Sequence, residues 1–95
     1  MDYLHWLEQW YQTNCDGEWE HAYGIDIKTL DNPGWYLRID LKETEYENLP
    51  DKELNQDNGD DDWLRCSIMD NRFTGYGDCL KLGKIIETFK SWIEF

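Results

Sequence analysis

Apolar residues near the start of the chain recur at helical spacing. Tyr3, Trp6, Leu7, Trp10 and Tyr11 fall at three- and four-residue steps, and Leu4 widens the stripe. Asp2 stands where an N-cap belongs, and Gly17 follows Asn14 and Asp16 at a natural stop, so the pattern predicts a helix over residues 2–14. The period then changes to two. Trp19, His21, Tyr23, Ile25 and Ile27 alternate with Glu20, Ala22, Gly24, Asp26 and Lys28, which predicts a half-buried strand. Asp31-Asn32-Pro33-Gly34 reads as a turn in which Gly34 takes a positive φ. Beyond it Trp35, Leu37, Ile39 and Leu41 alternate with Tyr36, Arg38, Asp40 and Lys42, and the two runs are expected to pair as an antiparallel hairpin.

Residues 43–62 break the rhythm. Tyr46, Leu49 and Leu54 are their main apolar side chains, and Pro50 interrupts any regular element. A solvated loop is expected, with a short edge strand around 52–57 folding back at a two-residue Asn58-Gly59 turn. Alternation resumes over 63–70, with Leu64, Cys66 and Ile68 facing inward and Trp63, Arg65 and Ser67 outward. A last strand at 72–77 is weakened by Gly75 and Gly77. Leu82, Ile85, Ile86, Phe89, Trp92 and Ile93 form the apolar stripe of a closing helix, with Asp78 ahead of it as the cap. Gly83 costs that helix about 1 kcal/mol relative to alanine. This order predicts an α+β fold. A single domain over 1–95 would hold an antiparallel sheet of four to five strands, with the N-terminal and C-terminal helices packed on one face.

Charge sharpens the picture. Of 95 residues, 21 are acidic and 9 basic, a net −12. Such a surface repels phosphate backbones and anionic headgroups, so no nucleic-acid or membrane partner is expected. Six Trp, six Tyr and three Phe argue against disorder. The opening Met1-Asp2-Tyr3-Leu4-His5-Trp6 has none of the parts of a signal peptide, and no apolar run approaches the length of a membrane span, so a cytoplasmic location is expected. The charge is also uneven. Residues 43–62 hold nine acidic side chains and one lysine, a net −8, whereas residues 63–95 carry +1.

Candidate chemistry is sparse. Cys15, Cys66 and Cys79 have no C-x-x-C spacing and read as free thiols. A Cys15–His21 thiolate–imidazole pair would make a small Cys/His-dependent enzyme, but no oxyanion-hole motif or nucleophile elbow accompanies it. The same residues with Cys66 and Cys79 lack the paired spacings of a zinc site. Asp57-Asn58-Gly59-Asp60-Asp61-Asp62 is out of phase for a calcium loop, since Arg65 stands where the closing Glu belongs. No enzyme activity, metal or cofactor is therefore expected. Aromatics beside carboxylates are instead the ingredients of a protein-binding hot spot. Trp63 and Tyr36 face away from the predicted core, and Tyr46 and Tyr76 lie in weakly patterned stretches. The candidate partner-binding residues are Glu43, Glu45, Tyr46, Glu47, Asp57, Asp60, Asp61, Asp62 and Trp63.

One block of the sequence is distinctive. Trp10-Tyr11, then Cys15-Asp16-Gly17-Glu18-Trp19-Glu20-His21, Tyr23-Gly24-Ile25 and Thr29 to Trp35, resembles the immunity protein 53 family. Asp61-Asp62-Trp63 and the helix ending near Trp92 extend the resemblance over nearly the whole chain, with 43–60 the least distinctive part. Members are small bacterial proteins associated with polymorphic toxin systems. The resemblance implies neutralisation of a cognate protein toxin and leaves the toxin unidentified. The acidic charge points to a basic toxin, such as a nuclease, and the chain would act as a monomer or weak dimer. An acidic DNA mimic is the other inhibitor reading, but concentration of charge in one segment counts against it.

Overall fold

The computed structural model describes residues 2–94. The stripe at the N-terminus forms α1 (Tyr3–Asn14), and the Asp2 carboxylate accepts from the His5 N–H as the N-cap. Leu7 and Trp10 are buried and Trp6 half-buried, but Leu4 and Tyr11 are exposed, so the buried stripe is narrower than the spacing suggests.

The first predicted strand begins late. Trp19–Ala22 form a short helix, α2, and only Ile25–Leu30 form a strand, β1. Local hydrogen bonds override the alternation. One Asp16 carboxylate oxygen accepts from the N–H groups of Glu18 (2.9 Å) and Trp19 (3.0 Å), while Glu20 reaches back to the N–H groups of Asp16 and Gly17. These contacts nucleate a helical turn that no period-two pattern reveals. Gly24, at φ +127°, then swings the chain into the sheet. Trp19 is fully buried, whereas His21 is exposed rather than on an apolar strand face.

The remaining strands are β2 (Gly34–Asp40), β3 (Lys52–Asp57), β4 (Trp63–Met69) and β5 (Arg72–Gly77). All pair antiparallel in the order β1-β2-β5-β4-β3, which leaves β1 and β3 as edges. The acidic segment therefore does supply an edge strand. It folds back through a five-residue loop, 58–62, rather than a two-residue turn, because Asp57 pairs with Trp63. The tight turn is Asp70-Asn71, where both residues take positive φ (52° and 62°), as a type I′ hairpin requires. Gly34 does not have a positive φ. It opens β2, where a Cβ would collide with the Gly77 carbonyl oxygen.

Helix α3 (Leu82–Ile93) lies across β5, β2 and β4, with α1 packed beside it. Ile85, Ile86, Phe89 and Ile93 bury against Leu37, Ile39, Leu64, Cys66, Ile68 and Phe73. Both helices cover one face of a five-stranded sheet, the expected α+β arrangement. β5 is central rather than marginal, and its glycines explain why. A side chain at Gly75 would strike Ile85 Cγ2, and one at Gly77 would come within 2.6 Å of Lys81 Cβ. The glycines let the helix sit close on the sheet.

The segment 43–50 is not simply solvated. Tyr46 and Leu49 pack on the core, with the Tyr46 ring stacked on Trp10 at 6.4 Å. Burial, helped by the neighbouring Glu45, pushes the Tyr46 hydroxyl pKa up to about 12.

Candidate partner-binding site

The nine sequence-nominated residues do not form one patch. They separate to opposite ends of the sheet, ~20 Å apart along the seven-residue β4. Glu43, Glu45, Tyr46 and Glu47 lie near the β4–β5 turn, where the Asn71 side chain accepts from the Asn48 N–H at 2.6 Å. Glu43, Glu45 and Tyr46 line a groove of about 470 Å³ with Trp10, Asp16 and Glu94. Much of this end is occupied by its own chain. Glu47 accepts from the Glu43 N–H at 2.7 Å, and Tyr46 is committed to Trp10.

Asp57, Asp60, Asp61, Asp62 and Trp63 sit at the other end. Three connections meet there: the β1–β2 turn, the β3–β4 loop and the β5–α3 loop. They enclose a groove of about 740 Å³, lined by Leu30, Pro33, Asp57, Asp60, Asp61, Trp63 and Leu80, among others. Loops clustered at one end of a rigid sheet are a common location for binding function.

The groove is built on Asp78, a buried carboxylate that is not the cap of α3. Lys81 occupies the N-cap position without a side-chain cap, and Asp78 lies three residues earlier. Asp78 accepts from the Trp63 N–H (2.9 Å), the Leu80 N–H (2.9 Å) and Lys81 Nζ (2.8 Å). Lys81 also reaches Asp62 at 2.8 Å, so Asp62 is a strut between the two loops. The Trp35 indole N–H donates to the Cys79 carbonyl oxygen at 2.9 Å and pins the β5–α3 loop onto β2.

Lys81, and then the backbone donors of Leu80 and Trp63, hold the Asp78 pKa down at about 2. An unfolded Asp titrates near 3.9, so the folded state binds this proton more weakly than the unfolded state does. The stabilisation is complete above the unfolded value and is lost as pH falls from about 4 towards 2. Asp16, through the N–H groups of Trp19 and Glu18, and Glu94, through Lys90, are also held low and act in the same direction. The melting temperature of Asp78→Asn is therefore expected to lie below that of the wild type at pH 7. The gap should narrow as the pH drops to 2. A constant gap across that range would contradict this role.

With Asp62 and Asp78 paired, Asp57, Asp60 and Asp61 remain without an ion-pair partner among the described residues. They surround half-buried Trp63 and Leu80, which is 89% exposed. Leu80 was missed by the sequence reading. It falls two residues before Leu82, out of phase with the buried stripe of α3, and that mismatch is the signal of its exposure.

Trp63 and Arg65 connect this groove to the open face of the sheet. A shallower groove of about 370 Å³ continues there past Ser67, Met69, Thr74 and Tyr76. Alternation places all three arginines, Arg38, Arg65 and Arg72, on this uncovered face. Arg38 and Arg72 both reach the buried Asp40 carboxylate, while Arg65 has no carboxylate partner among the described residues. Tyr36 and Tyr76 pack together at 5.1 Å beside it. An aromatic and arginine floor with an acidic rim matches the composition of protein-binding hot spots.

The alternative chemistries find little geometric support. No hydrogen bond joins Cys15 to His21 among the described residues. Cys15 instead interacts with Tyr11, whose pKa it raises. Cys66 is buried, and burial pushes its thiol up to about 12. No group of three or more His, Cys, Asp or Glu among the described residues is arranged to hold a metal ion. No described helix is long and apolar enough to cross a membrane. The model of a family described as immunity protein 53 matches residues 4–94. No curated protein and no solved structure matches the chain.

Proposed function

Since the chain belongs to the immunity protein 53 family, we propose that it binds a cognate toxin domain at the loop-end groove and neutralises it by occupancy. The family supports an immunity role, and the groove supports where that role is carried. Asp57, Asp60 and Asp61 form no ion pair among the described residues and lie around Trp63 and exposed Leu80, and this is the observation on which the placement rests. Carboxylates at the rim steer a basic partner into encounter, and the desolvated aromatic holds it. The partner is a basic toxin domain, and a nuclease fits best, because an enzyme that attracts phosphate presents the field an acidic rim can satisfy. The action is cytoplasmic and non-catalytic. Separation of the acidic residues to two ends of the sheet favours this local recognition over mimicry of a continuous phosphate backbone.

The test is stoichiometric. Titrating the purified chain into its cognate toxin domain should abolish toxin activity at one equivalent, with a one-to-one complex recovered by gel filtration. Inactivation by a small fraction of an equivalent, with no complex formed, would mean catalysis and would overturn the proposal.

A further inference from the structure

The two sheet edges are guarded very differently. β3 follows Pro50 and exposes Lys52, Glu53 and Asp57, which discourage strand addition. β1 has no proline and presents only Asp26 and Lys28 as charges. Beside it, Leu4 (55% exposed), Tyr11 (40%) and Ile27 (41%) meet in an apolar groove of about 340 Å³ between α1 and β1. Half of the six exposed large hydrophobics of the described chain thus collect at this one edge.

The backbone phase of β1 is set by its partner. The Asp40 N–H donates to the Gly24 carbonyl at 3.0 Å, and Asp26 and Lys28 follow in phase opposite Arg38 and Tyr36. The free N–H and C=O groups facing the open edge are therefore those of Ile25, Ile27 and Thr29. We propose that two copies of the chain pair antiparallel through β1, with the two-fold axis at Ile27, to form one continuous sheet.

Charge selects both the occupant and the register. Only odd-numbered residues can exchange hydrogen bonds across this edge. Centring on Ile27 pairs Ile27 with Ile27 and Ile25 with Thr29. It also sets Asp26, which holds Arg38 of its own chain at 3.0 Å through one carboxylate oxygen, opposite Lys28 of the second copy, twice over. Moving the axis to Asp26 or to Lys28 sets like charges directly opposite, which destabilises the pair. The edge is thus complementary to itself in one register, as a two-fold interface must be. Leu4 and Tyr11 of each copy then flank the paired isoleucines on the helix-bearing face. The loop-end groove lies at the end of the sheet and stays open.

Sedimentation equilibrium near physiological salt, where the like net charges are screened, tests the pairing. The wild type should show twice the 11.5 kDa chain mass at high micromolar concentration. Ile27→Lys should be monomeric. Asp26→Lys and Lys28→Glu should each be monomeric alone, and their equimolar mixture should recover the dimer mass, because the mixed pair restores both opposite-charge contacts. Hydrogen exchange of the wild type supplies a readout independent of any variant: the Ile27 and Thr29 amides should exchange more slowly as concentration rises. A wild type that stays monomeric, a dimer that survives Ile27→Lys, or edge amides indifferent to concentration would overturn the proposal.

Discussion

Trp19→Ala is expected to remove a large share of the fold's stability at 25 °C. Trp19 has no exposed surface, and its ring meets Trp10 at 5.8 Å and Tyr11 at 5.7 Å. Truncating a buried tryptophan costs about 3–5 kcal/mol in lost transfer energy and cavity. A domain of this size has about 5–15 kcal/mol in total. The site is poorly placed to relax. The residue is anchored in a four-residue helix held by Asp16 and Glu20, and the Trp10 ring is held in turn by Phe89 and Tyr46. Trp19→Phe should be much milder, at about 1–2 kcal/mol. It keeps an aromatic ring and removes an indole N–H that has no hydrogen-bond partner among the described residues, a group that costs stability while buried. Urea unfolding followed by far-ultraviolet circular dichroism checks both. Equal midpoints for Trp19→Ala and wild type would contradict the anchoring role.

The same residue shows what the sequence could and could not disclose. β2 and β4 were legible because each buries one face, so Leu37, Ile39, Leu64, Cys66 and Ile68 alternate cleanly with polar neighbours. Trp19, His21 and Tyr23 continue such an alternation into β1, yet Trp19–Ala22 turn out helical. A side-chain carboxylate two or three positions upstream decides the local geometry. β5 shows the reverse error. Gly75 and Gly77 lower its strand propensity, but their missing Cβ atoms are what α3 requires. Propensity is local, and the clashes that forbid a side chain there come from residues four to ten positions later.

The candidate site was half legible. Acidity concentrated in 43–62 is visible in composition, but contiguity in sequence is not contiguity in space. β3 runs the length of the sheet and carries the two halves of the segment to opposite ends. The pairing of Asp62 with Lys81 was equally hidden, and it turns one of the nominated contact residues into a structural strut. Leu80, Arg65 and Tyr76 join the site only because β4, β5 and the β5–α3 loop converge on Trp63.

The second large effect follows from that division. Asp57, Asp60 and Asp61 reversed together to lysine should sharply weaken toxin capture. Each is exposed and free of ion pairs among the described residues, and the one side-chain hydrogen bond given up among them, from the exposed Gly59 N–H to Asp57 at 3.1 Å, lies in the loop, so the sheet and its core are expected to stay intact. Asp62 is left untouched because Lys81 depends on it. Steering by a charged rim accelerates association by about 10–10³-fold at low salt. Reversing the rim forfeits that acceleration and sets lysines against a basic partner. Glu43, Glu45 and Glu47 reversed to lysine change the net charge by the same amount at the other end of the sheet, which separates a local rim from a global field.

The association rate of the cognate toxin domain, measured for the wild type and these two triple variants across ionic strength, is therefore the most direct test. The account predicts a loss of about tenfold or more at low salt for the Asp57, Asp60 and Asp61 variant. Its salt dependence should flatten or invert, while the Glu43, Glu45 and Glu47 variant stays near the wild type. Equal losses in both variants, or a loss confined to the Glu43, Glu45 and Glu47 variant, would contradict binding at the loop-end groove.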